Sequence, residues 1–171
     1  MDPITRDGIV VRVGQTWRDC DRRVKRTVTV IAVDAERGQA KVVSSLSGTS
    51  RLAVRRMHHG STGFVLMSCG DASMEQARER LLAAGFKRKT YDGQDGEFIA
   101  RTFRLGELPL FEDLVKEHEM NPDAHAVIEL CPDGLLQVCV DDLDAPWTAL
   151  WIDSVKGAAL LEGVTGRGST P

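Results

Sequence analysis

Along the first third of the chain, apolar residues recur with a period of two, the spacing of strands that bury one face. Residues 26–34 (RTVTVIAVD) are dense in Val, Ile and Thr, with Val28, Val30 and Ala32 on one side and Thr27, Thr29, Ile31 and Val33 on the other. The pattern predicts a first short strand over residues 8–14, a return strand over 41–46 after the turn at Glu36-Arg37-Gly38, and a last one over 64–67 after Gly63. Between them, residues 51–57 alternate Leu52, Val54 and Arg56 against Arg51, Ala53 and Arg55. No helical period is present in this stretch. Five short strands joined by glycine-rich turns predict a small, strongly bent barrel.

From Ser68 the period changes. Ser73-Met-Glu-Gln76 reads as a capping box, and Met74, Ala77, Leu81 and Ala84 then recur at helical spacing until Gly85. Two boundary strands follow over 87–91 and 97–103, then a second helix from about Pro109 to Asn121-Pro122 with Leu110, Phe111, Leu114 and Val115 as its apolar stripe. The clearest hairpin spans residues 124–141. A three-residue loop, Pro132-Asp133-Gly134, pairs Leu130 with Leu136, Ile128 with Val138 and Ala126 with Val140, with Glu129 opposite Gln137; a two-residue loop mixes apolar and polar faces. Residues 154–161 predict a closing helix after Trp147 and Trp151. The fold class is mainly β plus α+β: a small SH3-like N-terminal barrel over 1–68, an α-β-β-α-β-β-α domain with an antiparallel sheet over 73–162, and a loose tail over 163–171. The step over 68–72 is too short for independently wandering bodies, so the two are expected to touch.

Composition adds a globular core, with 42% hydrophobic and 27% charged residues in a chain of 171. With no long apolar run and no h-region behind the start MDPITRDGIVV, the expected location is the cytoplasm, away from any membrane. Four cysteines (Cys20, Cys69, Cys131, Cys139) without framework spacing predict four free thiols. The net charge of −3 hides a split: residues 1–70 carry 12 Lys and Arg against 6 Asp and Glu, a balance of +6, whereas 71–171 carry 10 against 19, a balance of −9. Such a reversal points either to two surfaces with different partners or to halves that neutralise each other.

The runs Gly14-Gln-Thr-Trp17-Arg-Asp19-Cys-Asp21-Arg22, Arg26-Thr-Val, Arg51-Leu, Arg56-Met and Ser61-Thr-Gly63-Phe-Val-Leu resemble a short uncharacterised SH3-like module that recurs in hypothetical proteins of bacteriophages and actinobacteria. The resemblance covers roughly residues 10–68; Cys20 and the adjacent His58 and His59 depart from it. It implies a fold and a phage or mobile-element context, and carries no activity.

For chemistry, the sequence offers little catalytic grammar. Ser44, Ser45, Cys69 and Cys139 are possible nucleophiles and His118 and His125 possible bases, but no nucleophile elbow, phosphate loop or zinc-protease motif is present. Adjacent His58 and His59 point to opposite strand faces, which argues against a zinc site with Cys20 and Cys69. No metal, cofactor or catalytic residue is assigned. The informative set is basic: Arg18, Arg22, Arg23, Lys25 and Arg26 crowd one loop, with Arg51, Arg55 and Arg56 on a later strand and Trp17 beside them to stack a base or fill the core. The acidic set, Glu112, Asp113, Glu117, Asp141, Asp142 and Asp144, offers a surface for a basic partner. The leading expectation is a non-enzymatic adaptor working through protein–protein contacts; the alternative is a nucleic-acid-binding accessory protein using the basic barrel.

Overall fold

The computed structural model describes residues 1–117, 119–141, 143 and 146–166, with the side chain of Leu114 outside that description. Among the described residues, two antiparallel five-stranded sheets and three α-helices make up the fold. The first sheet contains β1 (Thr16–Asp19), β2 (Thr27–Asp34), β3 (Gln39–Ser44), β4 (Gly48–Ala53) and β5 (Phe64–Ser68), in the order β4-β3-β2-β1-β5. A 3₁₀ turn at Val54–Arg56 separates β4 from β5, and these outer strands do not pair, so hydrogen bonding leaves the sheet open.

Helix α1 (Asp71–Ala83) leads into the second sheet, built from β6 (Lys87–Lys89), β7 (Phe98–Arg104), β8 (His125–Leu130), β9 (Leu135–Val140) and β10 (Thr148–Trp151) in the order β10-β9-β8-β7-β6. Helix α2 (Glu112–Glu117) lies between β7 and β8, and α3 (Val155–Thr165) follows β10. Among the described residues no helix is long and apolar enough to cross a membrane.

The hairpin register is the one the apolar pattern selects. Leu130 faces Leu136, Ile128 faces Val138 and Ala126 faces Val140, and all six side chains are buried. Gly134 closes the loop at φ +98°, a left-handed conformation that side chains rarely tolerate.

Elsewhere the structure corrects the expected elements. Residues 8–14 form no strand; the segment makes isolated bridges, Ile4 to Val10 and Ile9 to Ser154, and the first strand is β1 instead. Its inward positions are Trp17 and Asp19, and a buried carboxylate at an inward position breaks the alternation that would have revealed the strand. The capping box at Ser73 is not used: α1 starts at Asp71 with Gly70 as its N-cap, leaving Ser73 inside the first turn. The C-terminal unit carries a fifth strand, β10, whose mostly half-buried residues at the sheet edge show no clean alternation. Helix α3 runs to Thr165, past the expected start of the tail; residues 167–171 lie outside the described residues.

One hydrophobic cluster runs through both sheets. Around it, the halves are joined by backbone and side chain. Val10 N–H donates to Asp153 O at 2.8 Å, Val155 N–H to Gly8 O at 3.0 Å and Cys69 N–H to Asp133 O at 2.8 Å. Gln15, 0% exposed, anchors this seam: its Nε2 donates to Asp153 Oδ2 and to Val10 O, both at 2.8 Å, while its Oε1 accepts from Arg12 N–H at 3.1 Å and Trp17 Nε1 at 3.3 Å. A buried amide thus has every polar atom partnered, as burial requires. Arg12 Nε, 3.4 Å from Asp153 Oδ1, completes the charge balance of that buried carboxylate. At Gly70 the backbones come so close that a Cβ would sit 2.5 Å from Val13 O.

Candidate functional site

The loop from Asp19 to Arg26 is held by its own two carboxylates. Asp19, at the inward end of β1, accepts Asp21 N–H at 3.0 Å and the Arg26 guanidinium at 2.5 Å. Asp21 accepts both the backbone N–H of Arg23 at 3.0 Å and its side chain at 2.9 Å, and these bonds hold the Asp21 carboxyl down to about 2. Backbone bonds from Asp19 N–H to Arg26 O (2.9 Å) and from Cys20 N–H to Gly63 O (2.9 Å) tie the loop to β2 and to the turn before β5. With both acids paired to arginines of the loop, Arg18, Arg22 and Lys25 are its exposed cations without an ion-pair partner among the described residues.

These groups line an open cleft of about 640 Å³. Arg18, Arg22, Lys25 and Arg26 line it with positive charge against the two carboxylates Asp19 and Asp21, and Cys20, Val24 and Val65 give its apolar surface. His59 stands at one side, its Nδ1 3.0 Å from Asp7 Oδ1. Burial resists ionisation of Asp7, but the hydrogen bonds from His59 outweigh it and leave that carboxyl below its ordinary value. Arg26 and Arg56 both lie over the Phe64 ring, at 5.2 and 5.7 Å from its centroid, so Arg56 is brought towards the loop. Arg56 and Arg55 are exposed where the chain turns at the 3₁₀ helix; that turn takes Arg56 away from the Leu52 and Val54 face and lets Met57 enter the core instead.

Trp17 takes the core alternative. It is 1% exposed and hydrogen-bonded to Gln15, and it presents no ring face for a base. The acidic set lies elsewhere. Glu112 is 2.8 Å from Lys116, Asp113 and Glu117 are exposed on α2, and Asp141 is 3.6 Å from His125. Asp142 and Asp144 lie outside the described residues, as does His118. Among the described residues, no ion pair joins the basic loop to the acidic set; the charged contact between the halves is Arg12 with Asp153.

The possible nucleophiles are engaged in structure. Ser44 Oγ accepts from Leu46 N–H, and Ser45 Oγ from Thr27 N–H. Burial pushes up the thiols of Cys69 and Cys139, away from the reactive thiolate. All four cysteines are unpaired. His58 Nδ1 accepts from Gly60 N–H at 3.0 Å, and no group of metal-ligating side chains assembles among the described residues.

Sequence reasoning located Arg18, Arg22, Lys25, Arg26 and Arg51 but missed Lys41, a cation of the same sheet. Lys41 and Arg51 sit directly opposite each other on β3 and β4, both exposed. Their outward direction was legible in the alternation; their common neighbourhood required the register. No protein-family profile, no curated protein and no solved structure matches the chain.

Proposed function

We propose that this protein is a non-enzymatic accessory protein that binds nucleic acid through its basic N-terminal sheet. The observation that carries the reading is the cationic cleft: Arg18, Arg22 and Lys25 face outward, while the nearby carboxylates of Asp19 and Asp21 are already held by Arg26 and Arg23. A surface of that kind attracts phosphates, and each phosphate neutralised releases a counterion. The strand order, with β5 returning beside β1 after a 3₁₀ turn, supports the SH3-like fold as the frame of this surface, in the phage or mobile-element context that the sequence resemblance implies.

The test is a mobility-shift titration of the full chain over a salt series. Affinity is expected to fall with a log–log slope of about −0.9 for each phosphate contacted on a duplex. The double variant Arg22→Glu, Lys25→Glu is expected to abolish the shift with an unchanged circular dichroism spectrum. Absence of binding even at low salt sinks the reading.

The second reading is an adaptor that binds a basic protein. It rests on Asp113 and Glu117, exposed on α2 without an ion-pair partner among the described residues. Capture of a defined protein that survives nuclease treatment and is lost in Asp113→Lys, Glu117→Lys favours it over the first.

A further inference from the structure

Resting on the nucleic-acid reading, we infer that the ligand is double-stranded and is held without regard to sequence. The outward face of the first sheet spans two backbones, with the loop cations at one end and Lys41 and Arg51 at the other.

The face follows from the register. Thr16 pairs with Thr29, Thr29 with Val43 and Val43 with Thr49, which places three hydroxyls in one row across four strands. On one side of that row Arg18 pairs with Thr27; on the other, Lys41 pairs with Arg51. Burial agrees with this placement: Arg18, Thr27, Lys41, Thr49 and Arg51 are exposed, whereas Trp17, Val28, Val30 and Val42 on the opposite face are buried. No carboxylate occupies an outward position in these three rows.

Three features select the duplex. First, single-strand binding without sequence preference uses exposed aromatic rings as stacking platforms. Residues 1–70 contain two large rings, Trp17 and Phe64, and each is 1% exposed. Second, the cations form two groups rather than one line. With strands about 4.8 Å apart and a rise of about 3.3 Å per residue, the Arg18 end and the Lys41–Arg51 end are separated by roughly 15–20 Å. That separation suits the two sugar–phosphate strands that flank a major groove about 12 Å wide. Third, the ground between the groups is threonine interrupted by the exposed Val43, and the threonine hydroxyls donate to phosphate or sugar oxygens. It lacks the Arg, Asn or Gln side chains that read base edges in pairs, so the expected binding is sequence-independent.

The experiment is fluorescence anisotropy with the full chain and three probes at matched salt: two short duplexes of unrelated sequence and a single strand of the same length. The two duplexes are expected to bind equally, and at least about tenfold tighter than the single strand. Lys41→Glu, Arg51→Glu is expected to weaken duplex binding by about tenfold or more, and Lys41→Gln, Arg51→Gln to lower the salt slope by about 2. Arg37→Glu, in the turn beyond the face, is expected to leave affinity within about twofold of the parent. Equal or tighter binding of the single strand overturns the duplex inference and leaves the nucleic-acid reading standing. Full duplex affinity in both Lys41 and Arg51 double variants overturns the two-ended site. Failure of all three probes overturns the reading beneath it as well.

Discussion

Trp17 and Asp19 occupy the two inward positions of β1, and together they show what a sequence pattern reveals and what it conceals. The tryptophan fills the core, but the aspartate, apparently misplaced among apolar neighbours, is there to fix a loop. Its partner Arg26 is itself only 31% exposed, so replacing the carboxylate removes a charge-assisted bond that water screens weakly. Asp19→Asn is expected to cost about 1–3 kcal/mol in urea unfolding and to loosen the loop that presents Arg22 and Lys25. The loop cations were legible because they cluster within a short stretch of sequence. Arg51 was legible as one of the basic residues, but its pairing with Lys41 was not, because only strand pairing makes residues ten apart into neighbours. A second residue reports on the other sheet: Tyr91, the single tyrosine, donates its hydroxyl to Glu129. That bond, with smaller contributions from burial and the carboxylate charge, raises the phenol to about 12, since ionisation would break it and set two negative charges side by side. Ultraviolet titration of the phenolate is expected to show this late midpoint, and Glu129→Gln to move it back towards about 10.

At the level of elements, the β8–β9 hairpin was fully readable, because a one-residue slip would have turned six apolar residues to the wrong face. The start of α1 was not. Ser73 has the sequence of a cap, yet the close packing of Gly70 against Val13 and Gly14 draws the helix start back to Asp71. In α3, by contrast, Ser154 is the cap, and its Oγ accepts Gly157 N–H at 2.9 Å. Ser154→Ala is expected to cost about 1 kcal/mol and Ser73→Ala less than about 0.5, measured by chemical denaturation. The hairpin turn offers a sharper test. A Cβ at Gly134 would lie 2.7 Å from Cys69 Cβ and Sγ, in addition to the left-handed φ, so Gly134→Ala is expected to cost about 2 kcal/mol or more. The β2 faces were half readable: the register shifts between Val30 and Ala32, a bulge that leaves Ile31 and Ala32 exposed and returns Val33 to the edge of the core.

For the whole molecule, the charge split was plain in the sequence but its use was not, because counting charges cannot say whether opposite halves meet. Among the described residues no ion pair joins the basic loop to Glu112, Asp113, Glu117 or Asp141, and the halves are joined through the buried Gln15–Asp153 contact. Asp153→Ala leaves the Gln15 amide without one of its acceptors and is expected to cost about 2 kcal/mol. The shared core makes a single unfolding transition the expected result by both fluorescence and circular dichroism, and two separated transitions would show that the halves melt independently. The seam also has a consequence in time. The bridge between Ile9 and Ser154 closes nearly the whole length of the chain, whereas the strands of each sheet pair with partners far nearer in sequence. Closing so long a loop is entropically costly until both ends are already shaped. The chain is therefore expected to build its two sheets early and to stitch its beginning to its end last, so that a folding intermediate would hold native sheets around an unformed seam.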